Sequence, residues 1–209
     1  EVPIGQDQNT VALLAAVNGL PSGGEATHDT SLSTPVNVMM VLDFSASMGN
    51  PSGDGNHDSN LAVMEQSVVN LMLQYHAQGS DVNMQFVAFG QGESHSSGIN
   101  LEALFDFLKA ENGHPVTATD LGNWLANQSW THISGNATNY ETALTDANAL
   151  WNSGGLQTAG HDNVTYFMSD GVSNTGNDSS ILSIWASALA NNHITSWAIG
   201  VGTNADLSS

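Results

Sequence analysis

Pro35-Val-Asn-Val-Met-Met-Val-Leu-Asp43-Phe-Ser45-Ala-Ser47-Met-Gly49 is the stretch on which the fold turns. Val36 to Leu42 is an apolar run of strand length, broken only by Asn37, and it stops at Asp43. A short buried strand whose first acidic residue stands at its carboxyl end is how open α/β sheets present a ligand site. The Asp-x-Ser-x-Ser that follows gathers one carboxylate and two hydroxyls on one turn. These are hard oxygens of the kind that Mg²⁺ or Ca²⁺ prefers. Taken alone, the same five residues serve equally as a polar turn after a core strand.

Two later stretches share its character. Gly135-Asn-Ala-Thr138-Asn-Tyr-Glu-Thr-Ala-Leu144 opens a helix, and Val164-Thr-Tyr-Phe-Met-Ser-Asp170-Gly171 is a second apolar strand ending in an acid. Strand–DxSxS, then a threonine at a helix start, then strand–SDG, in that order, resembles the von Willebrand factor A-like (vWA) family. The resemblance spans Val36 to Gly202. It implies a metal-ion-dependent adhesion site (MIDAS) made of Asp43, Ser45, Ser47, Thr138 and Asp170. In that family both serine hydroxyls, and the threonine in the ligand-bound state, touch the cation, while the two aspartates act through water or through the serines. The implied cofactor is one divalent cation, Mg²⁺, Ca²⁺ or Mn²⁺, whose open position takes a carboxylate from a protein or peptide partner.

Between these landmarks, strands and helices alternate. Leu61, Met64, Val68, Leu71, Met72 and Tyr75 recur at three- and four-residue spacing, an amphipathic helix capped by Asp58 or Ser59. Val82–Phe89 reads as a covered strand, Gln91–Gly98 as a polar excursion, and Ile99–Leu108 as a short edge element entering a helix. Helices are expected at Thr119–Gln128, from Asn139 to about Gly154, and near Ser179–Asn191, with a last strand at Ile194–Val201. Trp124, Trp151, Trp185 and Trp197 fall at core-like spacings. This pattern predicts an α/β fold: a doubly wound, mostly parallel sheet with helices on both faces. The resemblance implies that the strand order reverses beside the first strand, which brings Asp43 and Asp170 together.

Residues 1–34 read as an N-terminal extension and linker, and residues 35–209 as the vWA-like domain. A domain of this family continues past Ala198–Gly202 into another helix and strand, which Thr203–Ser209 is too short to supply. Val11–Val17, apolar and otherwise unplaced, is expected to shield the last strand instead. Asp54, Asn56, Asp58 and Glu65 fall at positions 1, 3, 5 and 12 of an EF-hand-like loop, but Ser59 stands where glycine is needed. Helix capping and loop solvation account for these residues without a second Ca²⁺.

Composition narrows the function. One basic residue, Lys109, stands against 20 acids, a formal net charge of −19 in 209 residues. Nucleic acids and anionic membrane surfaces are recognised by Lys and Arg, so both are excluded as partners. No apolar run is long enough for membrane insertion. Cysteine is absent, which removes thiol chemistry and disulfides. There is no HExxH, Walker loop or GxSxG, and the eight histidines are scattered. The chain therefore reads as a binding module rather than an enzyme. Its Asp, Asn, Gly, Ser and Thr richness resembles large bacterial repeat adhesins of the RTX type, multidomain proteins exported by type I secretion to the cell surface or beyond. The competing readings are a vWA subunit of an intracellular chelatase or AAA-ATPase assembly, and a domain that a metal merely stabilises.

Overall fold

The computed structural model describes residues 34–49, 59–79, 81–132, 137–153, 156, 160–171, 174 and 178–202, with backbone only at 178 and 179. The N-terminal extension, the EF-hand-like positions 54, 56 and 58, and the segment expected to shield the last strand lie outside these residues.

Among the described residues six strands form one sheet: β1 (Val36–Asp43), β2 (Val82–Phe89), β3 (Glu93–His95), β4 (Ile99–Asn100), β5 (Asp162–Ser169) and β6 (Ile194–Gly200). Their order is β3-β2-β1-β5-β6, with β4 also pairing with β2. β2, β1, β5 and β6 are mutually parallel, and only β3 and β4 run antiparallel, both against β2. The order reverses at β1, which lies between β2 and β5, so the loops leaving β1 and β5 emerge side by side. The strand ending at Ser169 is fifth in chain order because the polar excursion contains β3, a strand that its composition does not announce.

β1 is central because both of its faces are apolar. Val38, Met40 and Leu42 point to one side and Met39 and Val41 to the other, and all five are at most 1% exposed. The first side packs on α1 (Asn60–Ala77), α2 (Leu101–Asn112) and α3 (Ala118–Ala126), through Met64, Val68, Met72, Phe105 and Leu121 among others. The second packs on α4 (Tyr140–Asn152) and α5 (Asp178–Asn191), through Leu144, Trp151, Ile181 and Trp185. The helices start where local chemistry satisfies their free N–H groups. Ser59 caps α1 by accepting from the Ala62 N–H at 3.1 Å, Asn139 caps α4 through the Thr142 N–H at 3.1 Å, and Thr117 with Asp120 forms a capping box on α3.

Polar groups inside the sheet are paired. The Trp151 indole N–H donates to Thr165 Oγ1 at 3.1 Å, and the Tyr75 and Tyr166 hydroxyls meet at 3.0 Å. At the amino-terminal end of the parallel strands, asparagines form a row across the sheet. Asn83 donates to Asn37 Oδ1 (3.4 Å), Asn37 to Asn163 Oδ1 (3.0 Å), and Asn163 to the Asn192 carbonyl (2.9 Å). Asn100 joins the row from β4, donating to Asn83 Oδ1 at 3.4 Å and to Asp81 Oδ1 at 2.8 Å.

Of the four tryptophans read as core, Trp151 and Trp185 are buried and Trp124 packs partly against the first core. Trp197 corrects the reading: it is 38% exposed, because β6 pairs only with β5 among the described residues and four of its seven residues face solvent. His76 stacks on Phe105 with ring centroids 3.8 Å apart and sits 2.8 Å from Glu102 Oε1. No helix among the described residues is long and apolar enough to cross a membrane.

Candidate metal centre

β1 ends at Asp43, and the chain turns at once. Asp43 Oδ1 accepts the Ser45 backbone N–H at 2.8 Å, the side-chain-to-backbone bond by which aspartate nucleates a turn two residues on. The Met48 N–H then donates to the Ser45 carbonyl at 3.0 Å, within a single 3₁₀ turn over Ala46–Gly49. The Asp-x-Ser spacing thus fixes its own loop, and the turn brings the Ser45 and Ser47 hydroxyls to 3.0 Å from each other.

Asp170 follows β5 and reaches this turn from the neighbouring strand. Its Oδ1 accepts the Ser47 hydroxyl at 2.9 Å, and its Oδ2 accepts the Asn60 side-chain amide at 2.8 Å. Ser169, the last residue of β5, donates its hydroxyl to Asp43 Oδ2 at 2.6 Å. The Tyr140 hydroxyl lies 3.0 Å from Ser169 Oγ and within hydrogen-bonding distance of the Gly171 carbonyl. Thr138 stands just before the α4 cap and is buried. Its N–H donates to Asn174 Oδ1, and its carbonyl accepts the Asn174 N–H, both at 3.0 Å. The loop after β5 therefore holds the threonine segment at two points.

Four of the five residues named from sequence are linked directly. Asp43, Ser45, Ser47 and Asp170 form one hydrogen-bonded chain at the carboxyl ends of β1 and β5. Thr138 is tied to the same loop through Asn174. The sequence reading missed Asn60, Ser169, Tyr140 and Asn174. Ser169 lies within the quoted SDG triplet, and Asn60 directly follows the capping Ser59, so adjacency was the only available signal.

Electrostatics set this cluster apart. Asp43 is fully buried, and its desolvation pushes the carboxyl upward. Hydrogen bonds from Ser169 and Ser45 pull it back, and the nearby Asp170 charge adds to the rise. No Lys or Arg lies in the cluster. The chain's one basic residue, Lys109, is in the last turn of α2.

The donor set suits a hard dication. Among the described residues no group of three or more His, Asp or Glu side chains lies close enough to hold a metal. What the cluster offers instead is hydroxyl oxygen backed by carboxylate. The 3.0 Å between the Ser45 and Ser47 oxygens is an ordinary hydrogen bond. It is also the edge of an octahedron with bonds of about 2.1 Å, as Mg²⁺ demands.

No family model matches the sequence, and neither does any curated protein sequence. Similarity appears in solved structures. One is the manganese-loaded TRAP protein of Plasmodium vivax, at TM-score 0.55 and 16% identity over 83% of this chain and 59% of that one. Another is proximal thread matrix protein 1 of the mussel byssus, at 0.54 and 20% over 82% of this chain and 39% of that one. BatB, a conserved hypothetical protein from Bacteroides thetaiotaomicron, gives 0.53 and 17% over 79% and 66%. This chain thus spans less than two thirds of each of these proteins. At such identities the likeness concerns fold, and the fold is von Willebrand factor A-like.

Proposed function

We propose that this chain is an adhesion-type binding module that captures an acidic group of a protein or peptide through a divalent cation, Mg²⁺, Mn²⁺ or Ca²⁺. The observation that carries the reading is the hydrogen bond from Ser47 to Asp170. It joins the DxSxS turn to the SDG loop at the switch point of the sheet, as a cation site built from both requires. The manganese reported for the similar TRAP structure is in keeping with it.

The residues divide the work by charge. Ser45, Ser47 and Thr138 offer neutral oxygens toward the cation. Asp43 orients Ser45 through its backbone N–H and is itself held by Ser169, while Asp170 orients Ser47. A dication held mainly by neutral hydroxyls keeps affinity for one more anionic oxygen, and that is the chemistry it supplies when bound. The function is binding without turnover. The acidic, lysine-poor composition is suited to an extracellular or bacterial cell-surface setting within a larger multidomain chain of the RTX-adhesin kind. There, screening and bound cations offset self-repulsion.

Calorimetric titration of chelator-treated protein with Mn²⁺, Mg²⁺ and Ca²⁺ tests the cation. One saturable site is expected, lost when Ser45 and Ser47 are both replaced by alanine. Binding that survives the double replacement would refute the assignment. An acidic peptide library screened with and without Mg²⁺ then tests the partner. Cation-dependent capture is expected; a cation that raises melting while no acidic ligand binds would mean that the metal only stabilises the domain.

A further inference from the structure

Asp170 is gripped on both oxygens, and one grip comes from a residue outside the three-part motif. Oδ1 accepts from Ser47, and Oδ2 accepts from the Asn60 amide at 2.8 Å. Asn60 is the first residue of α1, directly after the capping serine, and is only 7% exposed. Its orientation is dictated: a carbonyl turned toward a carboxylate would be repelled, so the NH₂ group must face Asp170. That leaves Asn60 Oδ1 buried with no hydrogen-bond partner among the described residues, an arrangement that costs stability.

The space for this amide is kept by Gly202, beyond the end of β6. Gly202 has φ +89°, and a Cβ there would lie 2.4 Å from Asn60 Oδ1 and 3.1 Å from its Cγ. An amide also differs in kind from the usual partner of a buried carboxylate. Lys or Arg would hold Asp170 more strongly, yet would place a positive charge where a cation must sit. Asn60 fixes the carboxylate without neutralising it.

We propose that Asn60, seated beneath Gly202, is a positioning residue that holds the Asp170 carboxylate in the orientation a divalent cation needs at the Ser45/Ser47 turn. The proposal rests on the cation-binding reading above.

The test is Mn²⁺ calorimetry on the wild type, Asn60→Ala, Asn60→Leu, Gly202→Ala and the Asn60→Ala/Gly202→Ala double variant, with metal-free melting recorded for each. Asn60→Ala should weaken Mn²⁺ binding about 10- to 100-fold, as loss of a supporting hydrogen bond does. Its metal-free melting should change little, because relief of the unpaired Asn60 acceptor offsets the donor lost by the half-buried Asp170 carboxylate. Asn60→Leu, which keeps bulk but donates nothing, should match it. Gly202→Ala should weaken binding in the wild-type background and add nothing once Asn60 is truncated. Its backbone strain lowers melting in both backgrounds, so affinity is the quantity read. Wild-type affinity in Asn60→Ala or Asn60→Leu, or additive losses in the double variant, would overturn the proposal alone. A wild type that binds no Mn²⁺ would overturn it together with the function on which it rests.

Discussion

The sheet carries a partly buried polar layer at each end, and the two are built on opposite terms. At the amino-terminal end, Asn100, Asn83, Asn37 and Asn163 pass hydrogen bonds along the row, ending on the Asn192 carbonyl. Each side chain is neutral and offers both donors and acceptors, so the row satisfies itself. At the carboxyl-terminal end, Asp43 and Asp170 bring only acceptors, and the donors that reach them among the described residues are neutral: Ser45 N–H, Ser47, Ser169 and Asn60. That layer is hydrogen-bonded but not charge-balanced. One sheet thus holds a polar row whose hydrogen bonds close among neutral amides and another that gathers two carboxylates with no basic side chain beside them.

The largest effect should come from the self-sufficient end. Asn37→Ala removes a fully buried amide together with its hydrogen bonds to the half-buried Asn83 and Asn163, worth about 0.5–1.5 kcal/mol each, and leaves a cavity in their place. Urea denaturation should show a loss of about 2–4 kcal/mol, equal in chelator and in Mg²⁺; a loss that depends on the cation would mean that the two ends are coupled. Next, a cation at 100 times its Kd should add about 2.7 kcal/mol. Asn37→Ala should keep this increment in the same urea experiment, and Asp43→Ala should abolish it.

A smaller effect concerns pH in the metal-free protein. Burial raises the Asp43 carboxyl above its ordinary value, so the folded chain binds a proton more readily than the unfolded one. The stability this proton contributes is complete below the ordinary carboxylate range and is lost as pH rises through the raised value. Asp43→Asn should flatten that part of the profile of urea midpoint against pH, and an unchanged profile would show that Asp43 is not desolvated as described. The smallest effect is screening. At fixed chelator, NaCl should raise melting gradually and without saturation, by similar amounts in the wild type and in Asn37→Ala. A saturable response would point to specific ion binding.

The long elements were legible because their causes are local. β1 and β2 are apolar runs bounded by polar residues, and the starts of α1 and α4 are marked by Ser59 and Asn139, which do cap them. The Asp43–Ser47 turn is equally local, since the aspartate bonds its own chain two residues on. β3 was not legible. Its three residues are polar, and the chain beside it is secured by tertiary bonds, the Phe86 N–H to Ser96 Oγ and Gln85 Nε2 to the Ser96 carbonyl, both at 3.0 Å. Asn60 and Tyr140 escaped notice for the same reason, because their role is defined by a partner strand far along the chain. Trp197 misled because spacing alone cannot tell an outer strand from an inner one.

The hydrogen bond between Ser169 and Asp43 spans 126 positions, which has a kinetic corollary. The two halves of the cluster meet only when β1 and β5 are already paired. An ion that needs both halves has little to hold in a partly folded chain, so it would leave the rate of folding nearly untouched. Its whole effect would fall on escape from the native state. A cation bound across both strands would thus act as a lock turned after the door has closed, lengthening the life of the folded state without hastening its formation.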